Sequence, residues 1–299
     1  MLKVEHVTKY YENFRAVNDV SFEIKEGEIF GLLGVNGAGK TTTFRMIMGL
    51  LDKSSGSITL DDKEIDYSVT DKIGFLTEER SLLPTKTVLE QAIYYGVLKG
   101  LSEREVEKRL DEYLKEFNIE EYKNKKIKEL SKGNQQKIQF ILSVIHKPTL
   151  LILDEPFSGL DPINVELFKK VILRLKKEKT IIIFSSHMME HIEYFCDSLI
   201  ILVKGSVVLE GKLAKIKSDY RRKNIKVIAD LDEEEIKKTK GVVSLEKNKD
   251  EYTIKIEDIK YVSSIFKKLS KCDSVTKFVV EEPTLNEIFI DKVGESYEE

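Results

Sequence analysis

The chain has 299 residues, of which 41% are hydrophobic and 34% are charged. This length predicts one large domain and a smaller one, and the apolar residues suffice for a sizeable core. The 49 basic and 52 acidic residues give a net charge of -3, which excludes a global attraction to nucleic acid. No apolar run approaches the ~18 residues of a membrane helix, and the first residues lack the apolar core of a signal peptide. We therefore expect a soluble cytoplasmic chain, with Cys196 and Cys272 as reduced thiols, that reaches a membrane only through a partner.

Two predicted strands open the chain. Residues 2–7 alternate as in a strand, and residues 17–24 resume the strand pattern after a polar and aromatic loop at 8–13. A turn then leads into residues 28–33, whose apolar side chains indicate a buried strand. This strand runs directly into a glycine-rich loop.

The glycine-rich loop has the pattern of a phosphate-binding site. Residues 34–41 match G-x-x-x-x-G-K-[ST]. Its glycines allow the backbone to curl with N–H groups toward an anion, and the next helix turns its positive end to the phosphates. Lys40 is predicted to reach the terminal phosphates, and the Thr41 hydroxyl to ligate Mg²⁺. The two strands ahead of the loop would then cover a nucleotide, and Tyr11 is either a stacking partner for its base or a half-buried surface tyrosine.

The segment after the loop alternates between strand and helix patterns. Residues 72–76 form a predicted strand that ends shortly before Glu78. Residues 87–118 have helical spacing and divide into two helices, the second opened by a capping-box sequence. Tyr94 and Tyr95 lie on the first of these helices, and the sequence leaves open whether they are core or interface residues.

A second potential anion site and two buried strands follow. Ser131 and Gly133 come at the start of a predicted helix, where backbone N–H groups bind anions. Residues 150–153 are four apolar residues followed by Asp154 and Glu155, which is the Walker B pattern of a strand that brings an acid to Mg²⁺.

Another buried strand is predicted at residues 180–187. It ends in His187, at the carboxyl end where ligands bind in α/β sheets. We therefore expect the histidine to lie near the phosphate loop and the two acids.

This ordered set of motifs resembles the ATP-binding subunit of an ABC transporter, over roughly residues 1–215. The resemblance implies that Asp154 supports Mg²⁺, that Glu155 polarises the attacking water and that His187 contacts the γ-phosphate. It also implies that the second nucleotide-contacting surface comes from a second cassette. The residues that would contact ATP in one subunit or the other are Tyr11, Gly34, Val35, Asn36, Gly37, Ala38, Gly39, Lys40, Thr41, Thr42, Ser131, Gly133, Asn134 and Asp161.

Two segments depart from the family pattern. In the signature segment, Lys132 and Asn134 stand where the family has a glycine and the glutamine. Glu78 stands where most members have a glutamine that ligates Mg²⁺; a carboxylate is an equally suitable hard oxygen ligand but adds negative charge near the attacking water. Together these variants resemble a bacterial subset related to sodium-extrusion and drug-export ATPases, which pair with ABC-2 type permeases.

The tail is predicted to form a second domain. A polar linker at 218–224 precedes elements in the order β-α-β-β-α-β, which fits a small ferredoxin-like unit, and a closing helix. The tail has no catalytic cluster and resembles the accessory domain of the export subset, with a regulatory, dimer-stabilising or structural role left open. Its basic stretch at 212–222 has two readings, contact with anionic lipid and a solvated linker, and the linker accounts for it better.

The fold predicted from these patterns is α/β. It consists of a P-loop ABC ATPase cassette with a RecA-like core, an antiparallel β layer and a helical subdomain at residues 1–217, and an α+β ferredoxin-like domain at residues 218–299. The predicted function is ATP hydrolysis that drives a separate membrane permease, expected to be an exporter, through ATP-dependent dimerisation. The expected dimer is a homodimer of cassettes at the inner face of the membrane. The alternatives are a soluble ABC ATPase acting on ribosomes or nucleic acid, and a non-hydrolysing regulatory subunit.

Overall fold

The computed structural model describes residues 1–79, 81–272 and 274–298. The chain folds into two compact units, Met1–Glu210 and Gly211–Glu299. The domain boundary predicted from the sequence, at 217/218, falls inside a helix of the second unit, Leu213–Asp219. It stays a prediction. The predicted polar linker at 218–224 is wrong in its extent, because regular structure occupies both of its ends.

The first unit alternates strands and helices along the chain. Its strands are β1 (Leu2–Tyr11), β2 (Phe14–Ile24), β3 (Ile29–Gly34), β4 (Ser55–Leu60), β5 (Lys63–Glu64), β6 (Ile73–Leu76), β7 (Leu150–Asp154), β8 (Ile181–Ser185), β9 (Ser198–Val203) and β10 (Ser206–Lys212), the last of which runs just past the unit's end. Its α-helices are α1 (Lys40–Ile47), α2 (Val88–Leu98), α3 (Glu103–Glu116), α4 (Lys132–Val144), α5 (Pro162–Lys177) and α6 (Met189–Phe195).

Two sheets form the framework of this unit. One has the antiparallel order β2-β1-β4-β5, and the other has the order β10-β9-β3-β8-β7-β6, in which β9, β3, β8, β7 and β6 pair in parallel. One hydrophobic core joins side chains of both sheets with α1, including Val17, Leu32, Phe44 and Ile152. Since a parallel sheet is covered on both faces, its strands are apolar throughout, as β3 and β8 are.

Local sequence explains where the helices α2 and α3 begin. Thr87 and Ser102 each accept a hydrogen bond from the backbone of the glutamate three residues later, and that glutamate accepts one in return. These are the capping boxes that such spacing favours. The predicted pair of helices is thereby confirmed, and Gly96 of α2 lets the two pack closely, since a Cβ there would lie 2.3 Å from Val106.

The second unit is a four-stranded antiparallel sheet with helices. Its elements are α7 (Leu213–Asp219), β11 (Lys223–Ala229), α8 (Glu233–Lys237), β12 (Val242–Asn248), β13 (Glu251–Ile256), α9 (Val262–Leu269), β14 (Val275–Glu281) and α10 (Leu285–Glu298). The sheet order β12-β13-β11-β14 with α8 and α9 as crossovers follows the predicted β-α-β-β-α-β order. Buried residues of the sheet pack with Ile236, Ile265 and Leu269 of the two helices in a core of their own.

Candidate active site

The phosphate loop joins β3 to α1 and has the conformation that its glycines permit. Gly39 has φ +103, and a Cβ on it would lie 2.6 Å from the carbonyl oxygen of Ala16, so both the torsion and the close approach require glycine. The helix α1 begins at Lys40, directly after the loop, and no side chain caps its N-terminus, where backbone N–H groups commonly bind anions. Lys40 Nζ donates to the carbonyl oxygens of Gly34 (2.5 Å) and Val35 (3.2 Å).

A cleft of about 320 Å³ lies over this loop and contains most of the predicted site residues. It is lined by Tyr11, Phe14, Ala16, Asn36, Gly37, Ala38, Gly39, Lys40, Thr41, Thr42, Glu78, Asp154, Glu155 and His187. The cleft therefore brings together a tyrosine, a phosphate loop, three acids and a histidine. The outermost of these residues, Tyr11 and His187, lie 176 positions apart in sequence.

The acids Asp154 and Glu155 lie at the carboxyl end of β7. Ser185, at the end of the neighbouring strand β8, donates its hydroxyl to Asp154. Glu155 has φ 50, a left-handed conformation that is rare for residues other than glycine, and its N–H donates to the Ser185 carbonyl at 3.1 Å. The pairing of β7 with β8 thus holds both consecutive acids at the cleft.

Burial and neighbouring charges tune the groups of the cleft. Burial raises the pKa of the Glu155 carboxyl above its usual range, and the nearby His187 and the Ser186 hydroxyl oppose that shift. His187 Nε2 lies 3.6 Å from Glu155 Oε1. Burial lowers the pKa of Lys40, while the charges of Asp154, Glu155 and Glu78 counteract it. A raised carboxyl pKa in a cleft is typical of a group that exchanges a proton.

The aromatic wall of the cleft differs from its predicted structure. Residues 8–13 were expected to form a loop, but β1 continues to Tyr11, and Tyr11 pairs with Phe14 of β2 across a two-residue turn. Both rings are well exposed, 43% for Tyr11 and 66% for Phe14. Phe14 and Ala16 also line the cleft but were not predicted from the sequence. The available signal was the pair of polar residues between Tyr11 and Phe14, because two-residue loops commonly join the strands of a hairpin.

The remaining predicted contacts lie outside the lining of the cleft. Ser131 caps α4 by accepting from the Asn134 N–H at 3.3 Å, and Asp161 caps α5 by accepting from Asn164 at 2.9 Å. Ser131 and Asp161 are exposed, and Gly133 has open space where a Cβ would stand, with only Leu160 nearby at 3.8 Å. Gly34 and Val35 instead contribute the carbonyl oxygens beneath Lys40.

Comparison with known proteins identifies the class to which this fold and site belong. The ABC transporter family model matches residues 17–158, and the model of the C-terminal domain of DrrA1-3-like ATP-binding proteins matches residues 211–293. YhaQ of Bacillus subtilis, named as an uncharacterized ABC transporter ATP-binding protein, is 48% identical to this chain. The alignment covers 100% of this chain and 100% of YhaQ. The ABC transporter ATP-binding protein NatA of the same organism is 38% identical, over 72% of this chain and 89% of NatA.

Solved structures agree with these sequence relatives. The dimeric structure of MJ0796, titled a bacterial ABC transporter cassette, has a TM-score of 0.65 and 29% identity, over 71% of this chain and 99% of that one. The same cassette is also known in a dimeric post-hydrolysis state with ADP and Pi.

The chain therefore belongs to the ATP-binding proteins of ABC transporters. It is an ATP-binding and ATP-hydrolysing subunit of such a transporter, and the predicted fold class, a P-loop cassette followed by a small α+β domain, is confirmed. Among the residues that the structure describes, no helix is both long and apolar enough to cross a membrane.

Proposed function

We propose that this subunit binds MgATP in the cleft, closes as a homodimer around two nucleotides and drives export through a separate ABC-2 type permease. The observation that carries this proposal is the meeting of Lys40, Thr41, Asp154, Glu155 and His187 in one cleft. Tyr11 stacks on the adenine, with Phe14 beside it, because both exposed rings line the same wall.

The donor set of the cleft fits Mg²⁺. The Thr41 hydroxyl and the carboxylates of Asp154 and Glu78 are hard oxygen ligands, and they line one cavity. Mg²⁺ is usually bound by one or two carboxylates together with substrate phosphates and water. The ion would neutralise charge on the β- and γ-phosphate oxygens.

The chain's own residues supply the rest of the hydrolysis. When ATP binds, the Lys40 ammonium exchanges its hydrogen bonds to the carbonyl oxygens of Gly34 and Val35 for hydrogen bonds to the phosphates. The new hydrogen bonds are charge-assisted, because the phosphate oxygens are negatively charged. Glu155 accepts a proton from the attacking water, and its raised pKa suits that task. His187, 3.6 Å from Glu155, orients the carboxylate and the γ-phosphate.

The dimer is inferred from residues that the cleft leaves out. Ser131, Gly133 and Asn134 surround the N-terminus of α4, where N–H groups bind anions, yet they do not line the cleft of their own chain. In a head-to-tail pair of cassettes they would contact the γ-phosphate held by the other copy, with Asp161 at the interface. The MJ0796 cassette, whose structure is titled dimeric, supports the formation of a dimer.

The permease partner is inferred from an apolar groove beside α2. The groove has a volume of about 220 Å³, and its lining includes Leu50, Phe75, Leu82, Tyr95 and Leu142. Its neighbour helix α2 also exposes large apolar side chains to solvent, namely Tyr94 (56%), Val97 (46%) and Leu98 (64%). Large exposed apolar patches mark interaction sites, and a transporter's ATP-binding subunit acts on a membrane subunit. The complex would lie at the cytoplasmic face of the cell membrane, where ATP is available.

Size-exclusion chromatography of the Glu155→Gln variant tests the proposal. The amide keeps the shape of the carboxylate but removes its charge and its basicity, so ATP should hold the variant as a dimer, whereas ADP should leave it monomeric. Adding Ser131→Arg should abolish the ATP-dependent dimer without loss of ATP binding, because position 131 contacts only the partner's nucleotide. If Glu155→Gln binds ATP normally and stays monomeric, this chain does not form the proposed homodimer.

A further inference from the structure

A glutamine of α4 holds the segment that carries Glu78. Gln139 is 5% exposed, and the two N–H groups of its Nε2 are shared among three acceptors, the Thr77 carbonyl (3.2 Å), the Thr77 hydroxyl (3.0 Å) and the Glu79 carbonyl (3.0 Å). The Thr77 hydroxyl in turn donates to the Glu79 carbonyl. The residues on both sides of Glu78 are thus bound to one side chain, about 60 positions away in sequence.

The orientation of this amide is fixed by its surroundings. Three oxygen atoms surround Nε2, so a flipped amide would place its own oxygen against two carbonyl oxygens and a hydroxyl. Gln139 Oε1 has no hydrogen-bond partner within the described part of the chain. Because leaving a buried acceptor unpaired costs free energy, the contacts of Nε2 must outweigh that cost.

The same helix also reaches the segment after Glu155. Gln136, which is 3% exposed and lies one turn before Gln139, donates through Nε2 to the Pro156 carbonyl at 3.2 Å. Residues three apart lie on one face of a helix. One face of α4 therefore bonds to the two backbone segments that bring Glu78 and Glu155 to the cleft.

We propose that Gln139 is a positioning residue that fixes Glu78 at its place in the cleft, an inference that rests on the proposed role of Glu78 as a Mg²⁺ ligand. The strand β6 ends at Leu76, Glu78 lines the cleft, and Gln139 bonds to the residues on both sides of Glu78. A carboxylate held this way needs no reordering when it meets the ion. Groups that orient a metal ligand commonly contribute about 10–100-fold to metal affinity.

The test measures Mn²⁺ binding by electron paramagnetic resonance in the presence of a non-hydrolysable ATP analogue, together with the Mg²⁺ dependence of the ATPase. Mn²⁺ prefers the same oxygen ligands as Mg²⁺. Gln139→Met keeps the volume of the side chain but removes its donors, and it should weaken Mn²⁺ binding by about 10-fold, as Glu78→Ala does. The analogue's affinity measured without metal should stay unchanged. If Gln139→Met does not fold, Gln139→Asn, whose shorter amide cannot span the same distance, replaces it.

Gln135→Met is the matched control. Gln135 lies on the same helix and donates to two carbonyls, of Ile127 and Leu130, both at 3.1 Å, but neither belongs to a segment with an acid of the cleft. This variant should leave Mn²⁺ binding unchanged. In a double-mutant cycle, adding Gln139→Met to Glu78→Ala should weaken Mn²⁺ binding little further. Glu78→Ala removes the carboxylate and Gln139→Met displaces it, so both changes act on the same ligand.

The outcomes separate this inference from the proposed function. If Glu78→Ala weakens Mn²⁺ binding and Gln139→Met does not, the positioning role is wrong while Glu78 stays a ligand. If neither variant weakens it, Glu78 is not a ligand and both ideas fail. If Gln139→Met weakens Mn²⁺ binding by the same factor in the Glu78→Ala variant as in the unmodified chain, Gln139 does not act through Glu78. If Gln135→Met weakens Mn²⁺ binding as much as Gln139→Met does, the effect comes from a change in the helix.

Discussion

The two units of the chain shift the pKa of a half-buried acid in opposite directions. Burial raises the pKa of Glu155 in the first unit, and its nearest neighbours only partly oppose this shift. In the second unit, burial would raise the pKa of Glu287, but hydrogen bonds from the Thr284 N–H (2.9 Å) and Asn224 (2.8 Å), with Lys255 at 3.2 Å, lower it overall. One acid is left available for proton transfer, and the other is fully used by its partners.

The position of each acid in its sheet explains the difference. Glu155 follows the carboxyl end of a parallel strand, where side chains face an open cleft. Glu287 lies in the first turn of α10 and connects that helix to β11 and β13. The pKa of Glu287 is lower in the folded chain than its ordinary value of 4.5, so the ionised carboxylate stabilises the second unit at neutral pH. This stabilisation is lost as the pH falls from 4.5 through the lowered pKa and the carboxylate becomes protonated.

The largest expected effect comes from replacing Glu155 by the corresponding amide. Glu155→Gln should lower the ATPase rate by at least ~10²-fold, because a general base typically contributes ~10²–10⁴ in rate. ATP affinity should change only a few-fold, since Lys40 and the loop bind the phosphates. A turnover assay with a direct ATP-binding titration measures both quantities.

Glu287→Gln is the control for this experiment. It should leave turnover near that of the unmodified chain and lower the melting temperature instead, because it weakens the contact with Lys255. Near-normal hydrolysis by Glu155→Gln, or a large rate loss in Glu287→Gln, would remove the distinction between the two acids.

The comparison also predicts which unit contacts the membrane subunit. Leu98 of the first unit and Ile259 of the second are similarly exposed, 64% and 60%. If the groove beside α2 is the docking surface, Leu98→Asp should weaken binding to the reconstituted permease by about tenfold or more, as a charge at the centre of an interface does. Ile259→Asp should leave binding unchanged. Affinity measured with the permease in detergent or nanodiscs distinguishes them, and the reverse result would assign docking to the second unit.

The sequence predicted those parts of the site that depend on local patterns. The phosphate loop, Asp154 with Glu155, and His187 each follow a buried apolar strand, so strand ends alone place them at one edge of the sheet. The ferredoxin-like order of the second unit was equally readable, because its elements alternate regularly.

What the sequence did not reveal depends on distant pairing. Residues 8–11 are strand residues because β1 pairs with β2 and β4 through register shifts that its polar side chains do not indicate. The three acceptors of Gln139 lie about 60 positions away, and no local pattern distinguishes it from any other glutamine on α4.

The smallest expected effect concerns ATP binding after removal of the second unit. A chain that ends at Lys217 keeps all of β10 and every residue that lines the cleft, since that lining ends at His187. The core shared by α1 and the two sheets of the first unit also lies before Glu210. Because compact units with their own cores commonly fold alone, the shortened chain should bind ATP within a few-fold of the full chain. Titration with a fluorescent ATP analogue, after circular dichroism has established folding, measures this. A changed dimer affinity would agree with a bracing role for the second unit, whereas complete loss of ATP binding by a folded monomer would show that the nucleotide site needs residues beyond 217.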